Sequence, residues 1–329
     1  MVFRLRGCKA LSIARGRLNL YIWRLETSIS DVMDMIGRAV GDLWVRYRRL
    51  VRALKGYDLE RRFDFIVIGS AKCGTTSLHR YLGMHPDIYM PEGVGINNET
   101  GYFLNDSEQK IKSLSNRKIR QFMDDDLLYE RIVEKYAGQL LIGEETTDYT
   151  KFPYREVRIE HMARLNERMK FVFIIRDPID KISSQYRHFL RNQKQYTNEV
   201  FREEIGGFDY YKFSCMYFYQ LQPYISRFGK ESIHVLLLED LQRDPETEMA
   251  RVFEFLGVPG CIPSGKAFEK FNVNREIQKK PVTFDELGPD LLEAVIEDAR
   301  ELDLQFGVHW MKKWPALSAM CRHINSGAG

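Results

Sequence analysis

Two glycines, one lysine and a run of three hydroxyl side chains fall within nine residues that directly follow an apolar run. The glycines are Gly69 and Gly74, the lysine is Lys72, and the hydroxyl run begins at Thr75. Glycine lets a backbone approach an anion closely, and the start of a helix carries unpaired N–H groups and partial positive charge. A lysine adds a compact cation. The pattern therefore predicts a loop that binds phosphate.

The spacing of the two glycines matches that of a nucleotide phosphate loop, but the lysine is displaced. The usual loop has its lysine directly after the second glycine, where this chain has Thr75. An ordinary strand and helix with a capping threonine and a solvated lysine is the alternative interpretation. The density of glycines and hydroxyls favours the phosphate loop. Its predicted binding residues are Lys72, Cys73, Gly74, Thr75, Thr76 and Ser77.

A second candidate anion site follows another apolar run. Residues 171–175 suit a buried strand, and Arg176 follows them directly. Open α/β sheets bind ligands at the carboxyl ends of their strands. Pro178 is well placed to begin a helix that carries Ser184, and an arginine fork suits phosphate, so Arg176 and Ser184 are predicted to clasp one phosphate. The alternative is a pair between Arg176 and Asp177 or another surface carboxylate.

The apolar runs also indicate the fold class. Residues 65–68, 171–175 and 235–238 have the composition of strands that are buried on both faces, as in a parallel sheet. A helix should follow Pro245, with Met249, Val252, Phe253 and Leu256 on one face. We therefore predict an α/β fold, with a single P-loop-like domain whose central parallel β-sheet is flanked by helices, plus an N-terminal amphipathic helical arm.

The arm differs from the rest of the chain in charge and pattern. The first 62 residues carry a net charge of +8, and the remainder carries −5. Apolar residues between Ile29 and Leu54 recur at steps of three and four, which predicts a long amphipathic helix. This helix would pack on its own domain, form a homodimer, or rest on an anionic membrane surface. We divide the chain into an arm (1–61), an α/β domain (62–312) and a loose C-terminal tail (313–329).

Composition narrows the classes of function and location. The chain has 329 residues, enough for one substantial core, and its net charge of +3 implies no general grip on nucleic acid. Five scattered cysteines indicate a reducing compartment. No apolar run is long enough to span a bilayer, and no cleavable signal peptide is evident. We therefore predict a cytoplasmic protein, either free or peripheral at the inner membrane surface.

Together, the two anion motifs resemble the sulfotransferase family that uses 3′-phosphoadenosine 5′-phosphosulfate (PAPS). The resemblance is to the branch that contains heparan-sulfate and bacterial sulfotransferases, and it covers roughly residues 62–310. Its first motif, approximately K-x-G-T-T-S/A-L, matches residues 72–78. Its second, approximately R-D-P-x-x-R-x-x-S-x-Y, matches residues 176–186, with Lys181 in place of the second arginine. The resemblance implies that the loop holds the 5′-phosphosulfate and that Arg176 and Ser184 hold the 3′-phosphate.

A general base is implied by the same resemblance. A K-E-x-x-F-F stretch of the family is similar to residues 98–103, with Glu99 at the glutamate and Asn98 at the lysine. The implied reaction is an in-line displacement at sulfur. Glu99 would take the acceptor proton, and Lys72 would stabilise charge on the leaving phosphate oxygen. A solvated carboxylate is the alternative interpretation of Glu99, and His188 is the reserve candidate for the base.

Two further segments match the family only in part. Residues 143–149 resemble a G-E-K-S-P-x-Y segment, but Glu145 replaces a lysine that helps catalysis in some relatives. Family members also carry a basic loop that closes over the nucleotide. That loop corresponds here to residues 271–281, in which Arg275 and Lys279 supply charge, with a solvated basic turn as the alternative.

The predicted function is transfer of a sulfuryl group from PAPS to a hydroxyl or amine. The acceptor would be a small molecule, a glycan or a glycolipid, and adenosine 3′,5′-bisphosphate would be the second product. No metal is expected, because the sequence shows no Cys/His cluster at ligand spacing. A P-loop nucleotide kinase is one alternative, although its lysine would be misplaced. A non-catalytic nucleotide-binding or membrane-associated scaffold of the same fold is another, favoured by Asn98 and Glu145.

Overall fold

The computed structural model describes most of the α/β part of the chain. It covers residues 43, 46, 47, 50, 51, 53, 54, 63–94, 98–105, 125–192, 210–260 and 287–326. The chain divides into two compact units, residues 1–59 with 116–131 and residues 60–115 with 132–329. The described positions between 43 and 54 are helical and mostly exposed, and the rest of the predicted arm lies outside the described residues. Among the described helices, none has the length and apolar character needed to cross a membrane.

Five parallel strands form the central sheet of the second unit, in the order β2-β3-β1-β4-β5. They span Phe65–Gly69 (β1), Ile88–Tyr89 (β2), Leu141–Glu145 (β3), Lys170–Ile175 (β4) and Ile233–Leu237 (β5). The predicted strands are confirmed as β1, β4 and β5. The sequence pattern missed β3, because a glycine and two glutamates replace the apolar run that marks the others.

Helices lie between and after these strands along the chain. They span Thr75–Gly83 (α1), Asp125–Ile132 (α2), Ile159–Leu165 (α3), Pro178–Asn192 (α4), Tyr210–Cys215 (α5), Tyr217–Phe228 (α6), Leu238–Arg243 (α7), Pro245–Leu256 (α8), Pro289–Phe306 (α9), Trp310–Lys313 (α10) and Pro315–Asn325 (α11). A 3-10 turn, Thr147–Thr150, follows β3. Proline begins α4, α8, α9 and α11, where its missing N–H would have no helical partner anyway.

One part of the core lies where α1 and α8 cover alternate residues of the sheet. Phe65 of β1 and Val172 of β4 are buried there. The predicted apolar face of α8 is buried against them and comprises Met249, Val252, Phe253 and Leu256. Fully burying a large apolar side chain contributes about 1.5–3 kcal/mol, so this face alone accounts for much of the attachment of α8.

The segment after Trp314 is a helix, so the prediction of a loose tail is wrong. One carboxylate oxygen of Asp177 accepts the backbone N–H of Ala316 at 2.8 Å and that of Leu317 at 3.2 Å. Trp314 and Leu317 are themselves fully buried. Because the partner lies in the second anion motif, far along the chain, no local pattern could reveal this contact.

Substituting Gly143 of β3 by alanine is expected to destabilise the fold. An added Cβ would lie 2.5 Å from the sulfur of Met90 and still closer to the ring of Phe65. Overpacking of this kind costs about 1–3 kcal/mol. Urea unfolding followed by circular dichroism measures the loss. Gly83→Ala is the matched control, since its Cβ would meet Met90 Cβ at an ordinary 3.7 Å. Equal urea midpoints for the two variants would contradict the close packing of Gly143 against Phe65 and Met90.

Candidate active site

The predicted phosphate loop joins β1 to α1 through two left-handed residues. Lys72 has a φ of 65° and Gly74 a φ of 91°. A Cβ at Gly74 would lie 2.7 Å from Leu238, so both backbone shape and space require glycine there. Thr75 to Ser77 form the first turn of α1, and the Ser77 N–H already bonds to the Gly74 carbonyl at 3.0 Å. The N–H groups just before it are those that helix geometry leaves for an anion.

A buried lysine supports this loop from α4. The Nζ of Lys181 donates to the Ser70 hydroxyl at 2.7 Å and to the Ser214 carbonyl, and it lies 5.0 Å from the centre of the Tyr217 ring. The Tyr217 hydroxyl in turn donates to the Arg176 carbonyl at 2.8 Å. Lys181, which takes the place of the family's arginine, therefore ties α4 to the loop.

Arg176 lies at the carboxyl end of β4, directly beside the loop. Its Nη1 donates to the Lys72 carbonyl at 3.4 Å, and its Nη2 is 3.5 Å from the half-exposed Asp180. Its Nε is buried and has no hydrogen-bond partner among the described residues. The predicted alternative of a surface pair is thus partly present, with Asp180 rather than Asp177, and such pairs contribute little. Ser184 is half-buried on α4, about two helical turns further on.

The 3-10 turn holds Glu99. The Glu99 carboxylate accepts the backbone N–H of Thr147 at 3.1 Å and its hydroxyl at 3.0 Å. Burial raises the pKa of Glu99 to about 7, and the neighbouring Glu145 and Asp148 raise it as well, whereas Lys151 and Thr147 lower it. A carboxylate with a pKa near 7 is well matched to general-base catalysis at neutral pH.

The turn is fixed beside the loop by bonds to β1. The Thr150 hydroxyl donates to the Ile68 carbonyl at 2.9 Å, and the Thr146 N–H donates to the Val67 carbonyl at 3.1 Å. A side chain at Gly69 would collide with the Thr150 hydroxyl, so glycine permits this close approach. Glu99 and the loop therefore lie at the same edge of the sheet.

Glu145, which replaces the family's lysine, is buried away from solvent. One of its carboxylate oxygens lies 2.8 Å from Nδ1 of His79 on α1, and both side chains are 2% exposed. The contact is an ion pair only when His79 is protonated, and neither this oxygen nor the two imidazole nitrogens make a hydrogen bond within the described part of the chain. His188 is half-buried on α4, four residues beyond Ser184.

Cys73 packs rather than reacts. Its side chain is fully buried, and its sulfur lies 3.8 Å from the Tyr217 hydroxyl. Burial raises the pKa of the Cys73 thiol, which disfavours the reactive thiolate. Arg275 and Lys279 lie outside the described residues, so their predicted part in nucleotide binding stays a prediction.

Comparison with known proteins identifies the family of this chain. A model of the "Sulfotransferase family" matches residues 64–262. The mouse "Heparan sulfate glucosamine 3-O-sulfotransferase 3A1" is 26% identical over 204 residues, which are 60% of this chain and 46% of that protein. The "Membrane-associated sulfotransferase kil1" of Dictyostelium discoideum is 31% identical over 129 residues, 38% of this chain and 22% of that protein. The chain thus spans less than half the length of these curated relatives.

A solved structure supports the same fold. The sulfotransferase from Alicyclobacillus acidocaldarius superposes with a TM-score of 0.53 at 25% identity, covering 74% of this chain and 95% of that one. Because the family match extends over more than half of the sequence, the chain belongs to the sulfotransferase family, a family of transferases. The predicted family and the predicted parallel α/β fold are both confirmed.

Replacing Thr147 by valine is expected to raise the pKa of Glu99 further, because the variant keeps the backbone N–H but loses the hydroxyl donor. A hydrogen bond to a charged group contributes about 1.5 kcal/mol or more, which corresponds to an increase of roughly one pKa unit. Carbon-13 NMR of the glutamate carboxyls measures it. The Glu144 resonance in the same spectra is the internal control, since its hydrogen bonds come from Thr100, Thr146 and Tyr149. An unchanged pKa of Glu99 would exclude the hydrogen bond from the Thr147 hydroxyl to its carboxylate.

Proposed function

We propose that this protein is a PAPS-dependent sulfotransferase that transfers a sulfuryl group to a hydroxyl or amine of its acceptor. The observation that carries the proposal is the contact between the two anion motifs, where Arg176 lies 3.4 Å from the carbonyl of Lys72. One ligand with two phosphate-like ends would engage both motifs at once.

The donor would lie along the carboxyl edge of the sheet. Lys72 and the N–H groups at the start of α1 would hold its 5′-phosphosulfate, and Arg176 with Ser184 would hold its 3′-phosphate. The buried and unpartnered Nε of Arg176 supports this assignment, because a bound phosphate would satisfy it. Arg275 and Lys279 would add charge over the nucleotide.

The proposed reaction needs one base and one stabilised leaving group. Glu99 takes the proton of the acceptor hydroxyl as its oxygen forms a bond to sulfur. The bond between sulfur and the 5′-phosphate oxygen breaks, and Lys72 with the loop N–H groups stabilises the charge left on phosphate. Positioning along a fixed edge of the sheet would supply much of the acceleration.

A glycan or glycolipid is the acceptor that the surroundings favour. Gln185 and Tyr210 line a pocket beside the loop. The ring centres of Tyr210 and Tyr154 lie 5.5 Å apart. Tyr154 is 39% exposed, and the nearby Phe152 is 44% exposed. Sugar recognition combines ring faces with hydrogen-bonding side chains, and a mouse relative is named for its action on heparan sulfate glucosamine.

The arm and the location of the protein belong to this proposal as well. We propose a cytoplasmic enzyme whose basic arm either pairs two copies or rests on an anionic inner membrane surface. A Dictyostelium discoideum relative is named as membrane-associated, which supports the second role. No nucleic-acid partner is proposed, because the net charge is only +3.

Removing the guanidinium of Arg176 is expected to weaken nucleotide binding. Isothermal titration with adenosine 3′,5′-bisphosphate should give heat with the parent chain, and Arg176→Ala should raise the Kd by roughly 10-fold or more, since charge-assisted hydrogen bonds contribute about 1.5–3 kcal/mol. Arg251→Ala is the control, because Arg251 is exposed on α8 and pairs with Glu248 of the same helix. A parent chain that shows no heat would refute the proposed function.

Glu99→Gln is expected to lower turnover about 10²- to 10⁴-fold while sparing nucleotide affinity, because the amide no longer accepts a proton. The assay follows radiolabelled sulfate from PAPS into extracts of the source cell. Parent turnover should rise between about pH 6 and pH 8, since the base must be deprotonated and burial raises the pKa of Glu99 to about 7.

Glu293→Gln, at an exposed position of α9, is the matched control for this variant. Equal rates for Glu99→Gln and the parent would exclude Glu99 as the base. A chelator separates the sulfotransferase from a kinase, because only a kinase should lose activity with its magnesium.

A further inference from the structure

Lys151 occupies a position between the candidate base and the phosphate loop. It follows the 3-10 turn whose Thr147 holds Glu99, and it lines a pocket together with Ser70 and Ala71 of the loop. Thr150, its neighbour in the chain, is bonded to the Ile68 carbonyl at the end of β1. The backbone that carries Lys151 is therefore held rigidly beside the place where a sulfuryl group would be transferred.

This part of the site is rich in negative charge. Glu99, Glu145 and Asp148 lie close enough for the last two to raise the pKa of the first. Transfer would bring an anionic donor next to them, so a nearby cation is needed to offset the repulsion. Lys151 interacts favourably with Glu99 and carries its positive charge directly after the turn. One carboxylate oxygen of Glu145 lies 2.8 Å from Nδ1 of His79.

Lys151 could bind a ligand without leaving Asp148, its present partner, unpaired. Asp148 accepts from Lys151 Nζ and also lies 3.3 Å from Nε of Arg155. If Lys151 turned toward the pocket, Arg155 would remain to neutralise Asp148. An unpaired buried carboxylate, which would oppose such a movement, is therefore avoided.

Two other cations at this edge of the sheet, Lys181 and Arg176, already contact other groups. Lys181 is buried between the Ser70 hydroxyl and the Ser214 carbonyl. Arg176 faces the Lys72 carbonyl and Asp180. Lys151 is instead about one-fifth exposed and opens onto the pocket.

We propose that Lys151 is a further catalytic residue, whose ammonium group binds the sulfuryl oxygens of the donor between Glu99 and the loop. The inference rests on the proposed function, because it requires PAPS as the ligand. No bond to lysine is made or broken. The sulfur exchanges one oxygen neighbour for another while the ammonium holds its remaining oxygens by charge-assisted hydrogen bonds.

Comparing two nucleotides tests this role without a known acceptor. PAPS carries the sulfuryl group, and adenosine 3′,5′-bisphosphate lacks it but has a similar charge, so a general electrostatic effect would weaken both. We expect Lys151→Met to raise the Kd for PAPS roughly 10-fold or more by titration calorimetry. Its Kd for the bisphosphate should stay within about twofold of the parent value, and Lys151→Arg should retain most PAPS affinity.

Lys230→Met is the matched control, because Lys230 precedes β5, does not line the pocket, and its Nζ donates to the Gln305 carbonyl of α9 at 3.0 Å. It should bind both nucleotides like the parent, and thermal unfolding should verify that each variant is folded. Equal behaviour of Lys151→Met and Lys230→Met toward PAPS would overturn the role of Lys151, and so would an equal loss of affinity for both nucleotides. If the parent bound neither nucleotide, the proposed function would fail first. If the parent bound both nucleotides and Lys151→Met kept the parent's affinity for PAPS, only the inference about Lys151 would be refuted.

Discussion

The parallel pairing of β1 with both β3 and β4 is the constraint on which the site depends. In this register Val67 lies opposite Glu145 on one side and Val172 on the other. All three strands therefore end at one edge, and the loop after β1, the turn after β3 and Arg176 after β4 emerge side by side. Because hydrogen-bonded strands lie about 5 Å apart, segments a hundred residues apart in the chain come within reach of one ligand.

Burial of polar groups fixes this edge. Lys181 ties α4 to the loop, and Asp177 ties α11 to the start of α4. Each is a charged side chain out of water, which is tolerated only with well-placed partners, so these contacts specify one arrangement more than they add stability. Among the described residues, Thr147 donates the hydrogen bonds that hold Glu99, and burial raises the pKa of the Glu99 carboxyl to about 7.

Much of the fold could be read from the sequence, because strands buried on both faces leave continuous apolar runs and the glycine loop has few alternative uses. The sheet around β1, β4 and β5 and the buried face of α8 followed from these signals. Strand β3 was not predicted, because it contains Gly143 and two glutamates instead of an apolar run. The C-terminal helix was not predicted either, because Asp177, which binds its first turn, is remote in the chain. The position of Lys181 within the second motif was evident from the sequence, but its hydrogen bond to Ser70 of the loop could not be predicted from it.

The sequence by itself determined which functional groups are present. They are a phosphate loop with Lys72, an arginine after a second strand and a glutamate in a partial motif. It could do so because these signals are local and depend on residue type and spacing alone. Only the tertiary structure decided which groups meet. It placed Arg176 against the loop, buried Glu145 against His79 and brought Lys151 to the pocket, because such contacts arise from strand order and burial, which local spacing does not encode.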